Sequence, residues 1–262
     1  MKQLIKSFCV AFSLYSKIPM PHFNWASKDM EYHLIFFPLV GAVIGALELL
    51  WWLFCSAFNI ESSAFIYLTA IAIPVLVTGG FHIDGFMDTM DALHSYQPKE
   101  KKLEILKDPH IGAFSVLGLI TFFMLAIAFS FEIKSKEALA ALCFSFVLSR
   151  ILSGLSVMVF PKAKKDGMAV TESKTNAKKT VTVILLSELI AVSAVLIYCT
   201  FTFAKIYYGI VLLCGFAFTF AYYYFMSKKH FGGITGDLAG FFVCISELVS
   251  LIAVSACCIL GE

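Results

Sequence analysis

Gly79-Gly80-Phe81-His82-Ile83-Asp84-Gly85-Phe86-Met87-Asp88-Thr89-Met90-Asp91 lies where the apolar run 62–81 ends. That run is long enough to cross a ~30 Å hydrocarbon core as a helix. The motif therefore puts three carboxylates, a histidine and a glycine pair at the end of what reads as a membrane helix. Asp84, Asp88 and Asp91 are spaced i, i+4, i+7, which stacks them on one helix face. Three like charges on one face repel. A divalent cation, or a phosphate ester carrying one, removes that conflict. The plainer alternative is a solvated acidic face. His82 and the glycine pair favour a site.

Further apolar runs lie at about 33–58, 111–132, 138–160, 180–203, 206–226 and 238–260, seven in all with 62–81. Of the 262 residues 60% are hydrophobic and only 15% charged, against about 25% in soluble domains. The expected fold is an all-α polytopic membrane protein with about seven spans and short amphipathic surface helices. Its length gives no reason to split it. Residues 1–20 carry Lys2 and Lys6 in an apolar setting without a small-residue cleavage site. They read as a helix lying on the membrane rather than a signal peptide. The eight cysteines form no C-x-x-C pair and fall almost entirely in apolar segments, where cysteine behaves as a small hydrophobe.

Charge gives an orientation. The connections 1–31, 82–110, 161–179 and 227–237 hold sixteen basic residues, and those near 59–61, 133–137 and 204–205 hold three. The positive-inside rule then puts the N-terminus and the acidic motif in the cytoplasm and the C-terminus outside. Within the cytoplasmic connections, Pro98–Asp108 reads as an amphipathic surface helix stopped by Pro109.

A second polar knot, Gly232-Gly233-Ile234-Thr235-Gly236-Asp237, falls on the same side. Glycine lets backbone N–H groups approach an anion, and a helix N-terminus follows, so the knot suits a phosphate. A flexible loop with an Asp cap is the alternative. Four charges lie inside expected spans: Glu48, Arg150, Glu188 and Glu247. Such residues face a polar cavity or a partner. Arg150 is the only arginine beside nineteen lysines. Its planar fork suits two-point binding of phosphate or carboxylate, with an ion pair to one of the glutamates as the alternative. Glu247 lies roughly 15 Å along the helix from Asp237, where it could floor a cavity. Glu48 and Glu188 receive no role.

These residues resemble the signature of the cobalamin synthase family, the adenosylcobinamide-GDP ribazoletransferases. The resemblance rests on residues 79–91, on Lys107-Asp108-Pro109-His110-Ile111-Gly112-Ala113-Phe114, on the 232–237 knot with Glu247, and on Phe37-Pro38-Leu39-Val40-Gly41 and Ile18-Pro19. Ala92 departs from a usual glycine, and Lys17 and Lys164 stand where arginine is expected. The resemblance implies one membrane-embedded domain over 1–262 in a bacterial or archaeal cell membrane, the inner membrane where there are two. It implies a magnesium-dependent transfer that joins α-ribazole, or its 5′-phosphate, to adenosylcobinamide-GDP and releases GMP. The expected metal ligands are Asp84, Asp88, Asp91, Asp237 and Glu247. The expected catalytic residues are Asp91, His82 and Asp108. Substrate phosphates fall to Gly79, Gly80, Lys107, Arg150, Gly232, Gly233, Thr235 and Gly236. Asp91 and His82 compete for the role of base, and positioning without a protein base is a third option. The lipid bilayer is a partner, nucleic acid is not, and self-association is left open. Two rivals fit less well. A CDP-alcohol-type phosphotransferase has an Ala-Arg after its Asp-Gly, where this chain has Phe86-Met87. A secondary transporter gathers its acids nearer the bilayer middle.

Overall fold

The computed structural model describes residues 2–21, 23–163, 177–203 and 205–261. Lys164 lies outside them. Ten α-helices are described: α1 (Lys2–Tyr15), α2 (Phe37–Ala57), α3 (Ser63–Thr78), α4 (Phe81–His94), α5 (Lys99–Ile105), α6 (Ala113–Ser130), α7 (Lys136–Val159), α8 (Lys178–Thr202), α9 (Ile206–Phe231) and α10 (Gly236–Leu260). Short 3-10 turns at Ser27–Met30 and His33–Phe36 lead into α2. The β structure among the described residues is one isolated bridge, Lys162 to Ile234.

Lys28–Ala57 and helices α6 to α10 are each long and apolar enough to cross a membrane. The chain is a multi-pass membrane protein. Helix α3 has sixteen residues and passes the same test only together with α4, from which it is bent by 94°. The bend has a local cause. Gly79 and Gly80 take φ of 65° and 80°, left-handed values that glycine adopts without a steric penalty. Gly80 N–H then donates to Val75 O at 3.1 Å, closing the α3 C-terminus. The expected span 62–81 thus stops at Thr78. Helix α4 leaves α3 nearly at a right angle and packs along α6 and α10.

Helix α7 is the central rod, buried along most of its length. Helix α2 lies against it through Gly41 and Gly45. A Cβ at Gly41 would overlap the Phe146 carbonyl, and one at Gly45 would sit 3.0 Å from Cys143 O. Small residues one turn apart let two backbones approach this closely, the usual device where lipid removes the hydrophobic drive between helices. Helix α10 packs on α4, α7 and α9, so its N-terminus sits under α4.

Candidate active site

Helix α4 buries His82, Gly85, Phe86, Thr89 and Ala92, one face at helical spacing. That leaves Asp84 exposed and Asp88 and Asp91 partly so on the other side. Gly85 fixes where this face stands. A Cβ there would lie 2.7 Å from Asp237 O and 3.0 Å from Asp237 Cα, and one at Gly240 would meet His82 O at 3.3 Å. Two glycines thereby seat α4 on the first turns of α10 and bring Asp237 beside the α4 acids. Asp88 reports the crowding. Its carboxyl is pushed up to about 6, first by burial and then by Asp84, Asp237 and Asp91.

The loop before α10 is tightly held. Gly232 takes a φ of 80° at the end of α9, and Gly233 leaves no room for a side chain against Pro161–Ala163. Ile234 N–H donates to Pro161 O at 2.8 Å, and Ala163 N–H donates to Ile234 O at 3.0 Å. Thr235 caps α10: its hydroxyl oxygen accepts from Leu238 N–H at 3.3 Å and donates to the Asp237 carboxylate at 3.2 Å. The knot is therefore both an N-cap and a glycine-lined rim, with open space beside Gly236. At the other glycine pair, the side chain of Lys17 lies over Gly79, and Lys17 N–H donates to Val77 O at 2.8 Å. This brings a cation to the α3–α4 break.

Several expected site residues are engaged elsewhere. Asp91 accepts from Gly112 N–H at 2.8 Å and from Ser115 N–H at 2.9 Å, so it caps the N-terminus of α6 from a neighbouring helix. Each of its oxygens takes one backbone N–H, so the carboxylate has a structural role in joining α4 to α6. His82 projects from the opposite side of α4 and is only 6% exposed, away from the acids. Glu247 binds the Arg150 guanidinium at 2.7 Å and the Ser149 hydroxyl at 2.8 Å, deep in the bundle. Neither Glu247 as a metal ligand nor Arg150 as a phosphate ligand at the rim fits this placement: the ion pair is what holds both. Asp108 is exposed. It accepts the His110 backbone N–H at 3.0 Å, which holds its carboxyl below the usual range, and it serves the turn ahead of α6. Lys107 is exposed in the same segment. Glu48 is buried facing Glu247, and Glu188 is half-buried on α8.

What remains at the rim is Asp84, Asp88 and Asp237, two helix N-termini, Lys17 and the two glycine pairs. Among the described residues no three metal-ligating side chains converge closely enough to hold an ion alone. A magnesium ion needs only one or two carboxylates when phosphate supplies further oxygens. The donor set therefore fits an ion that arrives with, or is completed by, a phosphorylated substrate.

Residues 7–255 match the family described as cobalamin-5-phosphate synthase. The chain belongs to that family. It is 37% identical to the adenosylcobinamide-GDP ribazoletransferase of Lachnoclostridium phytofermentans, over 95% of this chain and 93% of that one. It is 32% identical to the enzyme of the same name from Clostridium botulinum strain Alaska E43, over 98% and 99% of the two chains. It is also 32% identical to that of Fusobacterium nucleatum, over 94% and 95%. No solved structure matches it. The signal for the Asp91 cap was present in sequence as the small residue Gly112 ahead of an apolar run. Nothing in the sequence paired it with Asp91.

Proposed function

We propose that this chain is an adenosylcobinamide-GDP ribazoletransferase of the bacterial inner membrane, with its reacting face toward the cytoplasm. The observation that carries the reading is the seating of α4 on α10, which gathers Asp84, Asp88 and Asp237 between two helix N-termini in a chain matched over nearly its whole length by that family. The sixteen-to-three bias of basic residues supports the orientation.

The reaction replaces a phosphoanhydride bond with a phosphodiester bond. A ribose hydroxyl of α-ribazole, or of its 5′-phosphate, bonds to the cobinamide-side phosphorus. The bond from that phosphorus to the bridging oxygen breaks, GMP leaves with that oxygen, and the hydroxyl proton is released. Asp84, Asp88 and Asp237 would hold magnesium, which when bound neutralises the charge that grows on the leaving phosphate. Backbone N–H groups at the start of α4 and α10 donate to phosphate oxygens, and the glycines there admit a close approach. Lys17 adds positive charge at the break. With Asp91 joining α4 to α6 and His82 turned inward, positioning rather than a dedicated protein base does most of the work.

The test is turnover. Purified protein in lipid nanodiscs, given adenosylcobinamide-GDP, α-ribazole and Mg²⁺, releases GMP, and the release stops when Mg²⁺ is chelated. Absence of GMP release under these conditions overturns the reading.

A further inference from the structure

The surface helix α5 packs on both α4 and α9. Its inward face carries Lys102, which is only 5% exposed. Lys102 Nζ donates to Leu93 O at 3.2 Å, at the end of α4, and lies 3.4 Å from His230 Nδ1, at the end of α9. An ammonium has no lone pair, so Nδ1 is the acceptor and the imidazole proton sits on Nε2, which remains a donor. Burial pushes the Lys102 ammonium below the ordinary lysine range, and among the described residues no carboxylate offsets this. The acids of α5 are placed elsewhere: Glu104 holds Lys101 at 2.7 Å, and Glu100 is exposed. Lys99 and Lys229 join Lys102 as the charges that bear on the His230 ring, again without an acid.

Capping of the two helices does not account for so much charge. Each helix C-terminus presents about half a negative charge, so α4 and α9 together supply roughly one. The ammoniums of Lys99, Lys102 and Lys229 exceed that by about two charges. A phosphate monoester carries about −1.5 to −2 at neutral pH and accepts several hydrogen bonds, which matches the excess. A phosphodiester, with a single negative charge, leaves part of it unmet. Among the reactants, the 5′-phosphate of α-ribazole 5′-phosphate is the only monoester. We propose that Lys99, Lys102, Lys229 and His230 bind this 5′-phosphate and so make the enzyme prefer α-ribazole 5′-phosphate to α-ribazole. This rests on the ribazoletransferase reading above.

Two segments of chain tie this cluster to the acids. On α4, Leu93 follows Asp88 by five residues, a rise of about 7.5 Å. On the other side, His230 directly precedes Phe231 and the Gly232-Gly233 rim, which runs into Asp237. The rise along α4 is comparable to the span of a ribonucleotide from its 5′-phosphate to a hydroxyl of its ring. A phosphate anchored on the cluster therefore brings that hydroxyl toward Asp88 and Asp237, where the diphosphate and its metal are held on the reading above. Anchoring of this kind orients the nucleophile without a protein base.

The experiment measures KM for α-ribazole, α-ribazole 5′-phosphate and adenosylcobinamide-GDP on the full-length protein in phosphatidylcholine nanodiscs. In the unsubstituted protein KM for α-ribazole 5′-phosphate is about tenfold or more below that for α-ribazole, the effect of charge-assisted hydrogen bonds. Lys102→Met removes most of this difference by raising KM for the 5′-phosphate, while the other two constants change by less than about twofold. Lys102→Met also gives up the bond to Leu93 O, so a second variant avoids that bond. Lys99→Gln combined with Lys229→Gln alters exposed residues alone and has the same effect on the three constants. Equal KM values for the two ribazoles in the unsubstituted protein, a difference that survives in both variants, or an equal rise for all three substrates overturns the subsite. The last of these marks a purely structural cluster. Phosphatidylglycerol added to the nanodiscs tests a lipid headgroup as the source of the phosphate. If it raises KM for α-ribazole 5′-phosphate in the unsubstituted protein and not in the variants, the cluster belongs to lipid and the proposal fails. Unsubstituted protein that releases no GMP from either ribazole sinks the enzymatic reading itself. GMP release with a KM indifferent to the 5′-phosphate sinks only the subsite.

Discussion

The Asp91 carboxylate holds Gly112 N–H at 2.8 Å and so ties the C-terminal half of α4 to the start of α6. A cap of this kind is worth about 1 kcal/mol. Asp91→Asn keeps one acceptor oxygen but turns an amide N–H₂ toward a backbone N–H. It lowers the Tm of the detergent-solubilised protein and lowers turnover in proportion to the loss of folded protein. A full loss of turnover with an unchanged Tm would return Asp91 to the chemistry.

Asp84→Asn and Asp237→Asn behave in the opposite way. Each removes a charge from a crowded face, so the magnesium-free protein is at least as stable as before. Turnover falls by about a hundredfold or more, as for loss of a group that stabilises transferring phosphate. Side-by-side Tm and GMP-release measurements check both halves.

Asp88 makes stability depend on pH. Its folded carboxyl titrates near 6, above the ordinary 3.8. The folded state therefore holds its proton more tightly than the unfolded chain does. Between these two values stability falls as pH rises; above about 6 the full penalty applies, and below 3.8 there is none. Thermal melts of magnesium-free protein at steps across that window show this slope, and Asp88→Asn flattens it. A slope that survives in the variant belongs to another group.

Gly85→Ala forces a methyl against the Asp237 backbone at 2.7 Å, where nothing flexible can yield. Overpacking of this kind costs about 1–3 kcal/mol, and here it also lifts the acids away from Asp237. Gly240→Ala, at 3.3 Å, is the milder change. The expected order in both Tm and turnover is wild type, then Gly240→Ala, then Gly85→Ala. An inverted order contradicts the seating.

Arg150→Met strands Glu247, and Glu247→Met strands Arg150, each at a cost of about 3–5 kcal/mol. The double variant removes both charges and recovers most of the folded yield. Yield and Tm of the three variants in nanodiscs measure the coupling. Additive losses mean the pair contributes no stability.

The spans were legible because each is a run of apolar residues bounded by polar ones, and that pattern alone determines where backbone can cross lipid. The acidic face was legible because i, i+4, i+7 has one geometric meaning on a helix. Its neighbours were not. Periodicity gives the face of α4 but not what lies over it, so Asp91 read as a free acid when it caps α6. The same period places His82 on another side of α4 from Asp84, and this the structure bears out. The spacing of Gly41 and Gly45, one helical turn, was a readable sign of close packing that went unused. Arg150 stood between two readings because a guanidinium fork fits a phosphate as well as a carboxylate. Only the third dimension brought Glu247 to it.

Gly85 has a last consequence. Because α4 meets α10 through bare backbone, the acids have no slack with which to move apart, and their mutual repulsion is kept rather than relaxed. A cation with its phosphates releases that tension, so on this reading the ligand-bound protein is the more completely folded one, and substrate acts as a late structural component of the enzyme that consumes it.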